Sequence, residues 1–202
     1  MSFGNCTGRP YVLICATLRY ASLDVILSFN SENPFSKLEW PQFIGDSFWE
    51  SFLYNDINAS KFTGLVHIAI LSKEYLEKIL QGKKSVEARF SIHRKAPYGI
   101  VNRGDVIMLK LTGGPILGIS MVDEAFSYQL DAKTLRDIRL QYAEELQIDD
   151  EEFWKQRKNA KYATLIKLSH VRAMRPISYI KRDRRAWVVL SLQRPLLAAN
   201  AS

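Results

Sequence analysis

The stretch "SKEYLEKILQGKKSVEARF", Ser72 to Phe90, constrains this chain more than any other. Ser72 is a helix N-cap residue, and Leu76, Ile79 and Leu80 lay an apolar stripe along the helix that follows. Gly82 fits the left-handed position that ends such a helix. The period then changes from helical to two. Val86, Ala88 and Phe90 fall on one face of a strand, and Ser85, Glu87 and Arg89 on the other. Lys83 and Lys84 fill the turn. A carboxylate and a guanidinium therefore share a strand face directly behind a lysine pair.

Local signals of the same kind order the rest. "LVHIAIL" before Ser72 is a β-rich run. "HRKAPYGIVNRGD" is a loop rich in bases, Pro and Gly. "DVIMLKL" and "PILGISMV" flank "TGG" as a hairpin. Leu135 to Leu146 reads as a helix, and "DDEEFWKQRK" as another, with acids in its first turn and bases in its last. "YATLIKL" and "AWVVLSL" read as closing strands, joined by a connection, "SHVRAMRPISYIKRDRR". The order β-α-β-β-β-α-α-β-β, with short strands and tight turns, predicts an α+β fold. It is expected to be a small closed or nearly closed β-barrel with flanking helices. Residues 1–63 read differently, as an aromatic-rich extension. Asp46 is placed to cap a short helix carrying Phe48, Trp49, Phe52 and Leu53. So many aromatics need cover, so the extension is expected to pack on a core domain of 64–194, with 195–202 as a tail.

The chain is 202 residues long and 47% hydrophobic, enough for one packed core. Its net charge of +7 is unevenly spread: Phe153 to Arg194 holds 12 Lys and Arg against one acid, Asp183. A basic segment on a mildly acidic body suits a polyanionic partner, and equally a solvated surface. No apolar run is long enough to span a bilayer, and the first residues lack the basic-then-apolar pattern of a secretory leader. Cys6 and Cys15 are isolated thiols. A reduced, cytoplasmic chain with no membrane partner is the expectation. His67, His93 and His170 have no metal-like spacing with Cys or acids, so neither a metal site nor a cofactor is expected. His67, inside an apolar strand, reads as a core histidine with its polar needs met.

Gly82, Lys84, Glu87 and Arg89, followed by Gly104-Asp105 before a strand, resemble the pattern of the ASCH family, the activating-signal-cointegrator homology domains. These are PUA-like β-barrels. The resemblance covers about 64–194. It implies nucleic-acid binding, with RNA ahead of DNA. It also implies alternatives, since some relatives are small hydrolases that act on acetylated cytidine and others cleave RNA. In the amidohydrolase pattern a Thr lies three residues after the Lys. Here that position is Glu87, so the hydroxyl nucleophile is missing.

Two readings of the strand cluster stand. Lys84 and Arg89 could hold a phosphate or a base edge while Glu87 accepts from an amine, or the three could form a structural ion pair at the barrel mouth. If the chain is an enzyme, Lys84 and Glu87 are the expected catalytic pair. The expected nucleic-acid face comprises Lys83, Lys84, Glu87 and Arg89, the loop bases Arg94 and Lys95, and Lys181, Arg182, Arg184 and Arg185. A third reading is an adaptor that binds a protein partner through the extension.

Overall fold

A computed structural model describes residues 43, 45–58, 62–180 and 183–190, with backbone only at 54, 57 and 58. The tail, both cysteines, Lys181 and Arg182, and most of the extension lie outside the described residues. The strands are β1 (Val66–Leu71), β2 (Val86–Ser91), β3 (Val106–Leu111), β4 (Ile116–Gln129), β5 (Tyr162–Ile177) and β6 (Trp187–Leu190). The helices are α1 (Ser47–Phe52), which runs into a π-helical turn at Leu53–Asn58, then α2 (Lys73–Leu80), α3 (Ala132–Leu146) and α4 (Glu151–Gln156). From β1 onward this is the expected order. No helix among the described residues is long and apolar enough to cross a membrane.

The strands form one six-stranded sheet in the order β2-β5-β4-β3-β1-β6, curled into a half-barrel. Among the described residues β2 and β6 share no ladder, so of the expected closed or nearly closed barrel the structure takes the open form, with one seam. β1 and β3 run parallel, from Val66↔Val106 to Leu71↔Leu111, and every other pairing is antiparallel. A parallel pair needs a crossover, which α2 and β2 supply. Apart from His67, β1 is apolar along its length because both its faces are covered. Val66 and Ile68 point into one core with Val106 and Met108, whereas Ala69 and Leu71 join Ile107, Leu109, Leu76 and Ile79 on the other side. A third cluster packs α3 and α4 onto β2 and β5 through Val86, Ile138, Leu146, Trp154 and Leu165.

Strands β4 and β5 differ from the sequence expectation. The stretch read as a connection after "YATLIKL" continues as strand to Ile177. Register shifts along β4 and β5 allow this, because bulges bend both strands so that one half pairs toward β2 and the other toward β3. At one irregularity sits His170, a non-glycine residue with φ 49°. Its carbonyl accepts from Trp49 Nε1 at 2.8 Å, and Phe48 stacks on its ring at 3.4 Å. Asp46 caps α1 through Trp49 N and also pairs with Arg172 of β5 at 2.9 Å. Phe43, Trp49, Phe52 and Leu53 are buried in the same core as Val66 and Ile68.

Trp49 fills that core and supplies the donor for the bulge. Trp49→Ala is expected to destabilise the protein by roughly 3–5 kcal/mol. Trp49→Phe keeps a ring and loses the indole donor, which costs about 1 kcal/mol before any repacking. Urea denaturation followed by circular dichroism measures both. An unchanged midpoint for Trp49→Ala would show that α1 does not belong to the cooperative unit.

Candidate nucleic-acid interface and the buried charge relay

The turn after α2 is built as its residues require. Gln81 closes the helix, Gly82 takes φ 72°, and the backbone N–H groups of Lys83 and Lys84 both donate to Lys78 O. Adjacent lysines then part company. Lys83 is exposed, whereas Lys84 turns inward and is 2% exposed. Its Nζ donates to Leu146 O at 2.9 Å, at the last turn of α3. Lys78 Nζ reaches Gln147 O at 3.3 Å. Two ammonium groups from the α2–β2 segment thus cap the negative end of α3. Burial pushes the Lys84 pKa down, and the nearby Glu87 carboxylate partly offsets this.

Glu87, 6% exposed, lies 3.8 Å from Lys84 Nζ and 2.9 Å from Arg89 Nε. The latter is a charge contact without a directed hydrogen bond, since the Arg89 Nε–H has no aligned acceptor. Arg89 instead donates from Nη2 to Ile70 O of β1 at 3.0 Å, and its guanidinium lies 5.3 Å from the Trp187 ring of β6. The motif therefore runs as a relay from α3 through Lys84, Glu87 and Arg89 to β1 and β6. It bridges the open seam of the sheet. Lys84 and Glu87 are enclosed within the fold, and Arg89 is the one member with appreciable exposure.

Gly104-Asp105 is also structural. Asp105 accepts from Leu65 N and Asn102 N, each at 2.8 Å, and from His67 Nε2 at 2.9 Å. Trp187 Nε1 donates to His67 Nδ1 at 3.2 Å, which leaves Nε2 as the protonated nitrogen. His67 is thus a core histidine with both ring nitrogens paired. Burial raises the Asp105 pKa, but the His67 and backbone hydrogen bonds outweigh it and hold the carboxyl below its ordinary value. Among the described residues no group of three or more His, Cys, Asp or Glu is placed to hold a metal ion.

The exposed bases form a different cluster. Arg94 lies 5.4 Å over the Tyr162 ring, and Tyr98 packs edge-on to that ring at 5.0 Å. Lys161 N donates to Ser91 O at 2.9 Å, which brings the exposed Lys161 beside the loop that carries Arg94 and Lys95. Gly99 N pins the far side of that loop to Ser127 Oγ at 3.0 Å. Sequence reading missed Lys161 and Tyr162, whose place beside Arg94 follows from the β2–β5 register, Ser91↔Tyr162. The late basic segment contributes less free charge than its composition suggests. Arg185 is paired with Asp183 at 2.7 Å, Lys167 with Glu124 and Arg172 with Asp46, whereas Arg184 is exposed.

Two outcomes follow from the relay and its neighbour. Glu87→Gln leaves Lys84 and Arg89 as enclosed cations without their carboxylate. It is expected to cost about 3–5 kcal/mol in chemical denaturation, and a loss within error would show that the relay carries no structural load. Asp105 has a depressed folded pKa, so its contribution is complete above the ordinary aspartate value of about 3.9 and fades as pH falls through the lower folded value. The stability gap between wild type and Asp105→Asn should be flat above that value and close below it. A gap that widens toward acid would contradict the assignment.

No protein-family model and no curated protein sequence matches the chain. Solved structures do match it. The ASCH protein of Zymomonas mobilis is 17% identical over 63% of this chain and 88% of its own length, with a TM-score of 0.51. A serine-to-alanine variant of that protein gives 18% identity, 63% and 89% coverage and a TM-score of 0.50. The ASCH domain of Lactobacillus crispatus JV V101 aligns over 73% of this chain and 98% of its own at 14% identity, with a TM-score of 0.40. At these identities the likeness concerns architecture alone. The likeness to the Zymomonas mobilis protein, together with the half-barrel sheet, identifies the fold of this chain as that of an ASCH domain.

Proposed function

We propose that this protein is a nucleic-acid-binding module of ASCH fold. The observation that carries the reading is the cluster of Arg94, Lys95 and Lys161 around the Tyr98–Tyr162 pair. Exposed bases interleaved with aromatic rings give a strand both phosphate contacts and stacking surfaces. Lys83, on the surface beside the relay, and Arg184 add to the same potential. Lys84 and Glu87 serve this face from within by fixing β2, from which the Arg94 loop departs. RNA is preferred to DNA on the kinship of the fold with PUA-like barrels alone.

Hydrolysis centred on Lys84 and Glu87 is the second reading, and the lowered Lys84 pKa favours it. The enclosure of the pair and the carboxylate in place of a hydroxyl at position 87 weigh against it.

Binding of labelled single-stranded RNA and DNA at two salt concentrations tests the proposal. Arg94→Ala with Lys95→Ala should weaken binding alike for all sequences. It should also flatten the salt dependence by a slope of roughly 0.7 per lost contact. Absence of binding by wild type at low salt, or unchanged affinity and slope in the double variant, would refute it. Product analysis in the same samples decides the hydrolase reading.

A further inference from the structure

A cleft of about 890 Å3 opens where the C-terminal ends of β1 and β3 meet the β3–β4 turn and the segment that leads into β6. It contains none of the Lys84–Glu87–Arg89 relay, although Ile70, whose carbonyl holds Arg89, lines it. Its size falls in the range of sites that enclose a small organic ligand. Ile70 and Lys110, partners in the parallel β1–β3 pair, line it together. Lys110 is buried, and its ammonium donates to Leu111 O at 3.1 Å and to Gly114 O, which places a positive charge at the base of the turn. Pro115, Tyr179 and Ile180 add apolar surface, and Ile180 is 85% exposed. Arg184 is an exposed lining residue and joins no ion pair among the described residues, unlike Arg185.

Apolar surface beside two cations calls for a ligand with a flat apolar body and an anionic group. A nucleotide has both. We propose that this cleft takes one unstacked nucleotide of a bound single strand, with its base against Pro115, Tyr179 and Ile180 and its phosphate on Arg184. The inference rests on the nucleic-acid reading and adds to it a site of base preference. The Arg94–Lys95 face holds phosphates and reads no sequence, whereas a base seated in an open cleft is discriminated by its fit to the walls.

The test uses the full chain, adenosine 5′-monophosphate, inorganic phosphate, and oligo(A) and oligo(U) ribonucleotides of about a dozen residues, a length that covers a typical single-strand site. Ser178 lines the cleft and is exposed, so Ser178→Trp fills the cleft without removing a charge. The monophosphate should shift the amide resonances of Gly113, Gly114 and Ile180, and inorganic phosphate should not. Ser178→Trp should abolish those shifts. It should also weaken oligonucleotide binding about tenfold, the scale of one lost stacking contact, with an unchanged salt slope. Ile180→Ala, at an exposed position, should reduce the difference between oligo(A) and oligo(U).

Equal shifts with inorganic phosphate would reduce the cleft to an anion site and overturn the proposal. Displacement of the monophosphate by polyglutamate at equal charge would also overturn it, in favour of an acidic peptide. If wild type binds oligonucleotides and Ser178→Trp binds them equally well, the cleft proposal falls while the nucleic-acid reading stands. If wild type binds no oligonucleotide, both fall.

Discussion

The Arg89 guanidinium reaches from β2 to the Ile70 carbonyl of β1, across a seam that no ladder hydrogen bond among the described residues closes. Among the described residues β2 joins the sheet only through β5, and β1 lies at the far end beside β6. Something must hold these ends in register, and the relay does so with charge. It sets two cations against one carboxylate, and the carbonyl end of α3 accepts from the surplus ammonium. Buried ion pairs add little net stability, because desolvation offsets their attraction. Their value here is geometric. An ammonium that must find both a helix end and a carboxylate, and a guanidinium that must find one carbonyl, leave few other placements for β2.

Much of the fold was legible in local signals. Ser72, Gly82 and the "TGG" turn each dictate backbone geometry on their own, and α2, its turn and the β3–β4 hairpin followed from them. The length of β5 was not legible. Its continuation past Leu168 passes an irregularity at His170, and that residue's left-handed backbone is braced by Phe48 and by Trp49, the latter 121 positions earlier in the chain. Nothing within the strand announces that support. The strand cluster was half legible. Alternation put Glu87 and Arg89 on one face, but Lys83 and Lys84 are the same residue type side by side. Which one turns inward depends on where α3 ends, and that is tertiary information.

Charge shows the same division. The excess of bases after Phe153 is real in the sequence, yet Asp46 and Glu124 arrive from elsewhere in the chain to neutralise Arg172 and Lys167. Arg157 is also drawn in, with its guanidinium 3.2 Å from the Phe153 ring and burial pulling its pKa down. A composition count therefore overstates the field on that side. Arg94, Lys95 and Lys161 instead gather around a pair of tyrosines, as the β2–β5 register dictates.

The pairing of β1 with β6 also governs the birth of the chain on a ribosome. Val66 finds its partner in Leu190, so β1 emerges more than a hundred residues before the strand that shields its outer edge. Until then an apolar strand stands with one row of backbone groups unpaired, a template for the wrong neighbour. Contacts of such long sequence separation are slow to form, because the intervening chain must be ordered first. Synthesis of this protein thus includes a vulnerable interval that ends only when "AWVVL" leaves the exit tunnel.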